Sequence, residues 1–351
     1  MRYSTLGGRT GLRVSELALG TANFGTRWAT GADFDSAKRM FDTFVSAGGT
    51  FIDTADVYQF GESEQFLSQL IKADRDRLVV ATKFTRGDSP EADVTSTGNS
   101  RKVMTRALEA SLRRLDTDYI DLYWIHWPDF VTPVEEMLET IDLLVRAGKI
   151  LHAGFSNFPA WRSALAAAIT AERGLSAQFV AVQTEYSLVE RSADRDIVPM
   201  AEALQLGTLL YSPLGGGLLT GKYRKTDQGR LTTLGSVIHR EDTLQKSQIV
   251  DAVLGLADET GVTPAQIVMA WQLQRARGLQ TPTIPIIGPR TPEQLDEYLA
   301  GLEVSLDAAD YDRLSRVSAP KLGAPHEDTA EEVTANLGRL GERFVRRRPV
   351  P

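Results

Sequence analysis

Residues 50–58 read TFIDTADVY, and this stretch changes character in its middle. Residues 50–52 suit a half-buried β-strand because they are β-branched or aromatic. Asp53 follows directly, where an unpaired carboxylate would be costly to bury, and Tyr58 comes five residues later. An acid at the end of a core strand predicts that this strand ends at a polar site.

Composition bounds the class of protein. The chain has 351 residues, no cysteine and a net charge of −7. These values exclude a disulfide framework, a thiolate nucleophile and a cysteine-ligated metal, and they disfavour a nucleic-acid or anionic-membrane surface. The first residues lack the apolar region of a secretory signal, and no apolar run approaches the roughly 18 residues of a membrane span. We therefore expect a soluble cytoplasmic protein with no nucleic-acid or membrane partner.

Short apolar runs alternate with helical stretches along the chain. The predicted strands are residues 17–20, 50–54, 78–83, 119–126, 150–156, 179–185, 208–213 and 283–288. This alternation predicts an α/β fold with a parallel sheet, and near-continuous apolar strands agree because parallel sheets are buried on both faces. About eight repeats over roughly 300 residues favour a closed (β/α)8 TIM barrel over an open sheet.

Threonine–proline pairs mark the starts of three predicted helices. Thr132 is the predicted N-cap of the first, with Pro133 at the first helical position and Gly148 as its stop signal. Thr263 and Thr291 each precede a proline and give the same signal.

Three segments lie outside the repeating pattern. Residues 1–16 are predicted to form an N-terminal β-hairpin that caps the bottom of the barrel. Residues 215–242, after the seventh strand, are too long and polar for a plain connection, so we expect a functional flap. Residues 321–351 are weakly patterned and are predicted to be a C-terminal tail. We expect residues 1–351 to form one barrel domain.

Four ionisable residues are expected at the carboxyl ends of neighbouring strands, where barrel active sites lie. They are Asp53, Tyr58, Lys83 and His126. A tyrosine is a weak acid at neutral pH, and a nearby lysine is expected to lower its pKa and aid proton donation. Asp53 would hold the buried lysine, and His126 would polarise a carbonyl. This set of residues suits the reduction of a C=O group by hydride.

The chain resembles an aldo-keto reductase from about Leu6 to Leu299. The motifs that carry the resemblance, in chain order, are GLRVSELALGTANFG, FIDTADVYQFGESE, ATKF, IHWPD, GFSNF, QTEYS, YSPLGGGLLTGKY and IIGPRTPEQL. Each motif alone is weak, whereas all of them in order make a specific match. The family's catalytic tetrad would fall on the four residues named above.

The resemblance also implies an NADPH site. Its members would be Gly20, Thr21, Ser156, Asn157, Gln183, Tyr211, Ser212, Leu214, Gly216, Lys222, Gly288, Arg290 and Gln294. Arg290 would pair with the 2′-phosphate, which favours NADPH over NADH because a guanidinium matches phosphate geometry. Tyr298 stands where the family usually has Asn.

The predicted substrate is a small-molecule aldehyde or ketone. The candidate pocket walls are Asn23, Phe24, Trp28, Tyr58, Phe84 and Trp127. The four histidines of the chain have no metal-ligand spacing, so no metal is expected.

Parts of the sequence also match two other functions. Residues 216–223, GGLLTGKY, match the spacing of a phosphate-binding loop, but Tyr223 replaces the Ser or Thr that would hold Mg²⁺. The alternative to an enzyme is an NADPH-binding regulatory barrel with slow turnover, like the β-subunits of potassium channels. The intact tetrad favours turnover.

Overall fold

A computed structural model describes residues 1–28, 30–175, 179–224 and 239–327. The chain begins with an antiparallel hairpin of Tyr3–Thr5 (β1) and Arg13–Ser15 (β2). Leu6 and Val14 of this hairpin are fully buried and pack against the residues that fill the barrel interior. The predicted N-terminal cap is therefore confirmed.

All eight predicted strands form and close into one parallel barrel. In chain order they are Ala18–Gly20 (β3), Phe51–Asp53 (β4), Val79–Phe84 (β5), Ile120–Ile125 (β6), Ile150–Ser156 (β7), Phe179–Glu185 (β8), Gly207–Tyr211 (β9) and Thr283–Ile287 (β10). Strand β10 pairs with both β3 and β9 and so closes the ring. The (β/α)8 fold class is confirmed.

Helices surround the barrel. Those in the described residues are Phe34–Ser46 (α1), Glu62–Ile71 (α2), Arg101–Leu115 (α3), Val134–Arg146 (α4), Ala160–Glu172 (α5), Ile197–Leu204 (α6), Leu244–Thr260 (α7), Pro264–Gly278 (α8), Pro292–Ala300 (α9) and Ala308–Val317 (α10). Short 3-10 turns span Tyr58–Gly61, Arg75–Arg77, Ser192–Asp194, Gly215–Thr220 and Lys222–Arg224.

Two of the three predicted helix caps are confirmed. Thr263 accepts a hydrogen bond from the Gln266 backbone in a capping box, and Thr291 caps α9 in the same way without the reciprocal bond. The Thr132 prediction is wrong, because Pro133 occupies the N-cap position of α4. The Thr132 hydroxyl instead donates to Asp129 Oδ2 at 2.6 Å, so its side chain bonds within the loop before α4 and does not cap the helix.

Strand alternation decides which side chains enter the barrel. On β5, Val79 and Ala81 pack with the barrel interior, whereas Val80 and Phe84 pack in the layer between the strands and the helices. Lys83 shares the inward parity of Val79 and Ala81. Side chains at the carboxyl ends of the strands therefore meet above the apolar residues that fill the barrel interior. This packing positions the site.

The long segments outside the strands are only partly described. Of the predicted flap, residues 225–238 lie outside the described residues, and of the predicted tail, residues 328–351 do. None of the helices within the described ranges is long and apolar enough to cross a membrane.

Candidate active site

The four residues predicted to be catalytic lie together at the carboxyl ends of three neighbouring strands. Asp53 is the last residue of β4, Lys83 is the penultimate residue of β5, and His126 directly follows β6. Tyr58 begins the 3-10 turn that leads from β4 towards α2. The barrel thus brings together side chains that are separated by up to 73 positions in sequence (126 minus 53).

Lys83 is the centre of this group. Its ammonium donates to Asp53 Oδ2 at 2.5 Å, to the Thr54 carbonyl at 2.7 Å and to the Tyr58 hydroxyl at 3.1 Å. The side chain of Lys83 is fully buried and that of Asp53 is 2% exposed. Gln183 donates to the other oxygen of Asp53 at 3.0 Å. A buried ion pair is tolerated only when its remaining donors and acceptors are satisfied, and these contacts meet that requirement.

The charge of Lys83 agrees with the sequence-based expectation, whereas the pKa of Tyr58 does not. Burial alone would lower the pKa of Lys83, but Asp53 and Tyr58 together raise that pKa above its ordinary value, so the ammonium stays charged. Burial raises the pKa of Tyr58, and this effect is larger than the lowering by Lys83. The expectation that Lys83 brings the pKa of Tyr58 below its ordinary value is therefore wrong for the protein alone. Tyr58 consequently carries its proton at neutral pH.

His126 is neutral at physiological pH. Burial, with a smaller contribution from the positive charges of Lys83 and Arg86, holds the pKa of His126 well below its ordinary value. Its ring lies edge-on to the Tyr58 ring with centroids 6.0 Å apart. Its buried Nδ1 has no hydrogen-bond partner among the described residues. A neutral imidazole keeps one N–H donor for a group placed beside Tyr58.

A large cavity opens over these side chains. Its volume is about 1560 Å³, which exceeds the usual 300–1,000 Å³ of a small-molecule pocket and leaves room for a dinucleotide beside a substrate. The residues predicted from sequence that line it are Gly20, Asn23, Asp53, Tyr58, His126, Trp127, Asn157, Gln183, Tyr211, Ser212, Leu214, Gly216, Lys222, Gly288, Arg290 and Gln294. Most of the predicted site therefore lies around one space.

Three predicted pocket walls, Phe24, Trp28 and Phe84, are absent from the lining of this cavity. Phe24 and Phe84 are fully buried in the layer between the strands and the helices, and Phe84 stacks on Tyr123 with ring centroids 5.1 Å apart. Phe84 follows the inward Lys83 on β5, so alternation turns its ring outward. Both assignments as pocket walls are corrected on this ground. Trp28 is half-buried outside the lining, and its ring lies edge-on to that of Tyr58 with centroids 6.1 Å apart.

Two predicted cofactor contacts are buried beside the cavity and do not line it. Thr21 is fully buried, and its hydroxyl bonds with Ser63 at 2.8 Å and with the Asp53 carbonyl at 3.3 Å. Ser156 is also fully buried, and its hydroxyl accepts from the Asn157 amide at 3.0 Å. The structure thus gives these hydroxyls protein partners.

The turn after β9 is shaped by left-handed backbone. Gly215, Gly216 and Gly217 have φ values of 56°, 66° and 95°, and the non-glycine Ser212 has a φ of 58°. Glycine adopts these angles without steric cost, so the run of three bends the chain sharply along the cavity wall. Such a turn brings backbone N–H groups close to a bound anion.

At the start of α9, Arg290 lines the cavity one residue before the Thr291 cap. Its backbone N–H donates to Gln294 Oε1 at 2.9 Å. Asn23, predicted as a pocket wall, also donates to the carbonyls of Gly288 at 2.9 Å and Pro289 at 3.2 Å. Asn23 thereby ties the loop after β3 to the segment that carries Arg290.

Sequence reasoning missed two charged contacts in the cavity, and one of them joins Lys246 to Asp242 at 2.9 Å. Glu185, the last residue of β8, bonds with His239 Nε2 at 3.0 Å, and both line the cavity. The hydrogen bond to Glu185 raises the pKa of His239. The position of Glu185 at the end of a predicted strand was the available signal. Tyr298, which departs from the family pattern, lines the cavity and is 8% exposed.

The fold and this cavity define a barrel enzyme whose polar side chains gather at the carboxyl ends of the strands. The model of the Aldo/keto reductase family matches residues 16–319. The chain therefore belongs to the aldo/keto reductase family, whose members are oxidoreductases that use nicotinamide cofactors.

Three relatives illustrate the similarity. An uncharacterized oxidoreductase, YrpG, of Bacillus subtilis is 38% identical over 88% of this chain and 93% of its own length. Norsolorinic acid reductase B of Dothistroma septosporum is 33% identical over 93% of this chain and 84% of its own length. An aryl-alcohol dehydrogenase of Pestalotiopsis microspora is 30% identical over the same two shares.

Proposed function

We propose that this protein reduces an aldehyde or ketone to an alcohol with NADPH as the reductant. The observation that carries the proposal is the Tyr58 hydroxyl, which lies 3.1 Å from the buried Lys83 ammonium at the wall of the large cavity. In the balanced reaction, the carbonyl carbon gains a hydride, the oxygen gains a proton, and NADPH becomes NADP⁺. An acid beside a buried cation suits the proton half of this reaction.

The donor set along the cavity fits a nicotinamide dinucleotide. Asn157 and Gln183 present amide groups near the tetrad, and the Tyr211 ring lies beside them on the cavity wall. Lys222 and Arg290 supply cations further along the cavity. Amides, an aromatic ring and cations match a carboxamide, a nicotinamide ring and phosphates, respectively. When bound, NADPH would supply the hydride.

Arg290 supports the choice of NADPH over NADH. It lies in the cavity wall beside the N-terminus of α9, where backbone N–H groups also favour an anion. A guanidinium donates two parallel hydrogen bonds to a phosphate, which NADH lacks at the ribose 2′ position.

Each tetrad residue then has a distinct task. Tyr58, protonated at neutral pH, donates its proton to the developing alkoxide. Lys83 stabilises the phenolate that this step leaves, because its ammonium lies 3.1 Å away. Asp53 keeps Lys83 charged and in place. His126, neutral, donates from Nε2–H to the carbonyl oxygen and polarises it.

We extend the proposal to substrates with an aryl group next to the carbonyl. Two relatives are a norsolorinic acid reductase and an aryl-alcohol dehydrogenase by name. In this chain, Trp28 lies edge-on to Tyr58, and Trp127 lines the cavity with its ring 5.9 Å from that of His126. Aromatic side chains in and next to the cavity favour a flat aryl ring by edge and face contacts.

The test is consumption of NADPH in the presence of an aryl aldehyde, with the alcohol product measured in parallel. We expect one alcohol formed for each NADPH consumed, and weaker activity with NADH. In Arg290→Ala we expect the preference for NADPH to fall by about 10- to 100-fold, the equivalent of a charge-assisted hydrogen bond or two. Absence of turnover with a panel of aryl and aliphatic carbonyls contradicts the proposed function. An unchanged cofactor preference in Arg290→Ala contradicts the assignment of the 2′-phosphate.

A further inference from the structure

Gln59, the residue after Tyr58, is a buried glutamine in an unusual backbone conformation. Its φ is 51°, in the left-handed region, and its side chain is fully buried. Residues other than glycine adopt this region at a cost, and a buried amide needs partners for its donors and its acceptor. Neither feature is needed for the tetrad contacts, so Gln59 calls for its own explanation.

All hydrogen bonds found for the Gln59 side chain go to one segment, residues 22–30. Its Nε2 donates to the Ala22 carbonyl at 3.1 Å and to the Thr30 carbonyl at 3.0 Å. Its Oε1 accepts from the Trp28 backbone N–H at 2.6 Å. One side chain thus satisfies three backbone groups in a loop whose described residues, 22–28 and 30, form no helix or strand.

Glu62 holds the same segment from the outside. Its Oε2 accepts from the backbone N–H of Thr26 at 2.6 Å and of Arg27 at 3.2 Å. The Arg27 guanidinium also donates to the Phe60 carbonyl at 3.1 Å. Hydrogen bonds therefore join the turn that carries Tyr58 to the loop after β3 both in the interior, through Gln59, and at the surface, through Glu62 and Arg27.

The result of this fastening is the position of Trp28. Its ring lies edge-on to Tyr58 at 6.1 Å and edge-on to Phe60 at 6.4 Å. Because Gln59 binds the backbone of Trp28 itself, it fixes the point from which the indole extends. Trp28 thus lies against the ring of Tyr58, the residue to which the proposed function gives proton donation.

We propose that Gln59 is a positioning residue that holds Trp28 beside Tyr58 and thereby sets the affinity for carbonyl substrates that carry an aryl group. The proposal rests on the proposed function for its substrate. Gln59 takes no part in the chemical step, and the cofactor cavity is lined by other residues. Its removal therefore weakens the binding of aryl substrates and spares the step itself.

The experiment compares Gln59→Leu, Trp28→Ala and the double variant with wild type. Gln69→Leu is the matched control, because Gln69 is an exposed glutamine of α2. The substrates are 4-nitrobenzaldehyde, which has an aryl ring, and methylglyoxal, which has none. The readouts are kcat and KM for both, the Kd for NADPH, and hydrogen exchange of the backbone amides of residues 22–30.

In Gln59→Leu we expect KM for 4-nitrobenzaldehyde to rise about tenfold, the equivalent of one good hydrogen bond or aromatic contact. We expect kcat for both substrates, KM for methylglyoxal and the Kd for NADPH to stay within about twofold of wild type. Trp28→Ala should give the same pattern, and the double variant should be no worse than Trp28→Ala, because the two residues act through one contact. Exchange of residues 22–30 should speed up in Gln59→Leu and remain unchanged in Gln69→Leu.

Several results would overturn the inference. Equal increases in KM for both substrates, or a loss confined to kcat, would show that Gln59 supports the chemical step or the fold in general. Additive effects of the two substitutions, or unchanged exchange of residues 22–30, would break the link to Trp28. If Gln59→Leu does not fold, Trp28→Ala still decides, since an unchanged KM for the aryl aldehyde refutes the proposal. A wild-type protein without any turnover refutes the proposed function. The exchange measurement then tests by itself whether Gln59 holds residues 22–30 in place.

Discussion

The two faces of strand β5 contact two clusters of charged side chains, and the clusters differ in how many positive groups offset their carboxyl groups. On the inner face, Lys83 pairs with Asp53, so one ammonium meets one carboxylate. On the outer face, Thr82 donates to the carboxylate of Glu64 at 2.5 Å, among the surrounding helices. Adjacent residues of one strand thus belong to two electrostatic systems, one of which faces the cavity.

The outer cluster has an excess of acids. Glu64 is fully buried and accepts from Arg114 Nε at 2.7 Å, and Arg114 also pairs with Asp88 at 2.5 Å. Asp56 is 2% exposed, and its Oδ1 has no hydrogen-bond partner among the described residues. Three carboxyl groups therefore share the field of one guanidinium.

The two clusters differ in protonation because only the outer one has more carboxyl groups than cations. Burial, with the nearby charge of Glu64, raises the pKa of Asp56 to about 8, so this group keeps its proton at neutral pH. In the inner cluster, Asp53 and Tyr58 raise the pKa of Lys83 despite its burial, so the ammonium keeps its charge. A balanced buried pair remains ionised and available for chemistry, whereas an unbalanced cluster lowers its charge by retaining a proton.

The largest expected effect comes from unbalancing the inner cluster. Asp53→Asn leaves the Lys83 ammonium buried without its carboxylate. We expect turnover to fall by about 10²- to 10⁴-fold and the free energy of unfolding to fall by about 3–5 kcal/mol. Steady-state turnover and urea denaturation at pH 7 measure the two effects. Asp42→Asn, at a surface ion pair with both side chains 53% exposed, is the control and should change neither.

The same substitution should have the opposite effect on stability in the outer cluster. The pKa of Asp56 is about 8 in the folded protein and near 3.8 when unfolded, so its contribution is present below pH 4 and is lost as pH rises towards 8. Asp56→Asn removes this loss and should raise the free energy of unfolding at pH 9 on the order of a few kcal/mol relative to wild type. Urea denaturation at pH 5, 7 and 9 measures it. A variant that is less stable than wild type at pH 9 would contradict the protonated Asp56.

Glu64→Gln should change the free energy of unfolding by a smaller amount than the two preceding substitutions. The substitution weakens the pairing of Arg114, and we expect a loss of about 1–3 kcal/mol in the free energy of unfolding at pH 7. It also removes a charge that raises the pKa of Asp56. The decline of stability should therefore end at a lower pH than in wild type. An unchanged pH profile of stability would show that Glu64 and Asp56 are not coupled.

The smallest expected effect is on turnover across the pH range in which the outer cluster titrates. The pKa of His126 lies well below its ordinary value and that of Tyr58 lies above its own. Neither group changes protonation between pH 7 and pH 9, so kcat for an aryl aldehyde should vary by less than about twofold. A step in kcat near pH 8 that disappears in Asp56→Asn would show that the two faces of β5 act as one system.

The positions of the strands and of the tetrad could be predicted because they depend on local patterns. Asp53, Lys83 and His126 each follow or end an apolar run, and a parallel barrel gathers such ends at one rim. The substrate walls were harder to predict. Phe24 and Phe84 lie close in sequence to site residues, but their side chains turn into the packing layer.

Other features could not be predicted because they depend on contacts distant in sequence. Gln59 binds residues 29 to 37 positions earlier, and nothing in its own neighbourhood signals those partners. The raised pKa of Asp56 depends on its burial and on the charge of Glu64, against which Arg114 from another segment acts in the opposite direction. The net pKa of Tyr58 depended on how completely the fold buries the hydroxyl, which sequence patterns do not give.

The most direct test of the proposed chemistry is a single-turnover measurement of hydride transfer from bound NADPH to an aryl aldehyde, in wild type and in Tyr58→Phe. The phenylalanine keeps the ring contacts with Trp28 and His126 but has no proton to donate. We predict that hydride transfer slows by about 10²- to 10⁴-fold while the Kd for NADPH stays the same. Hydride transfer at the wild-type rate in Tyr58→Phe would contradict the account.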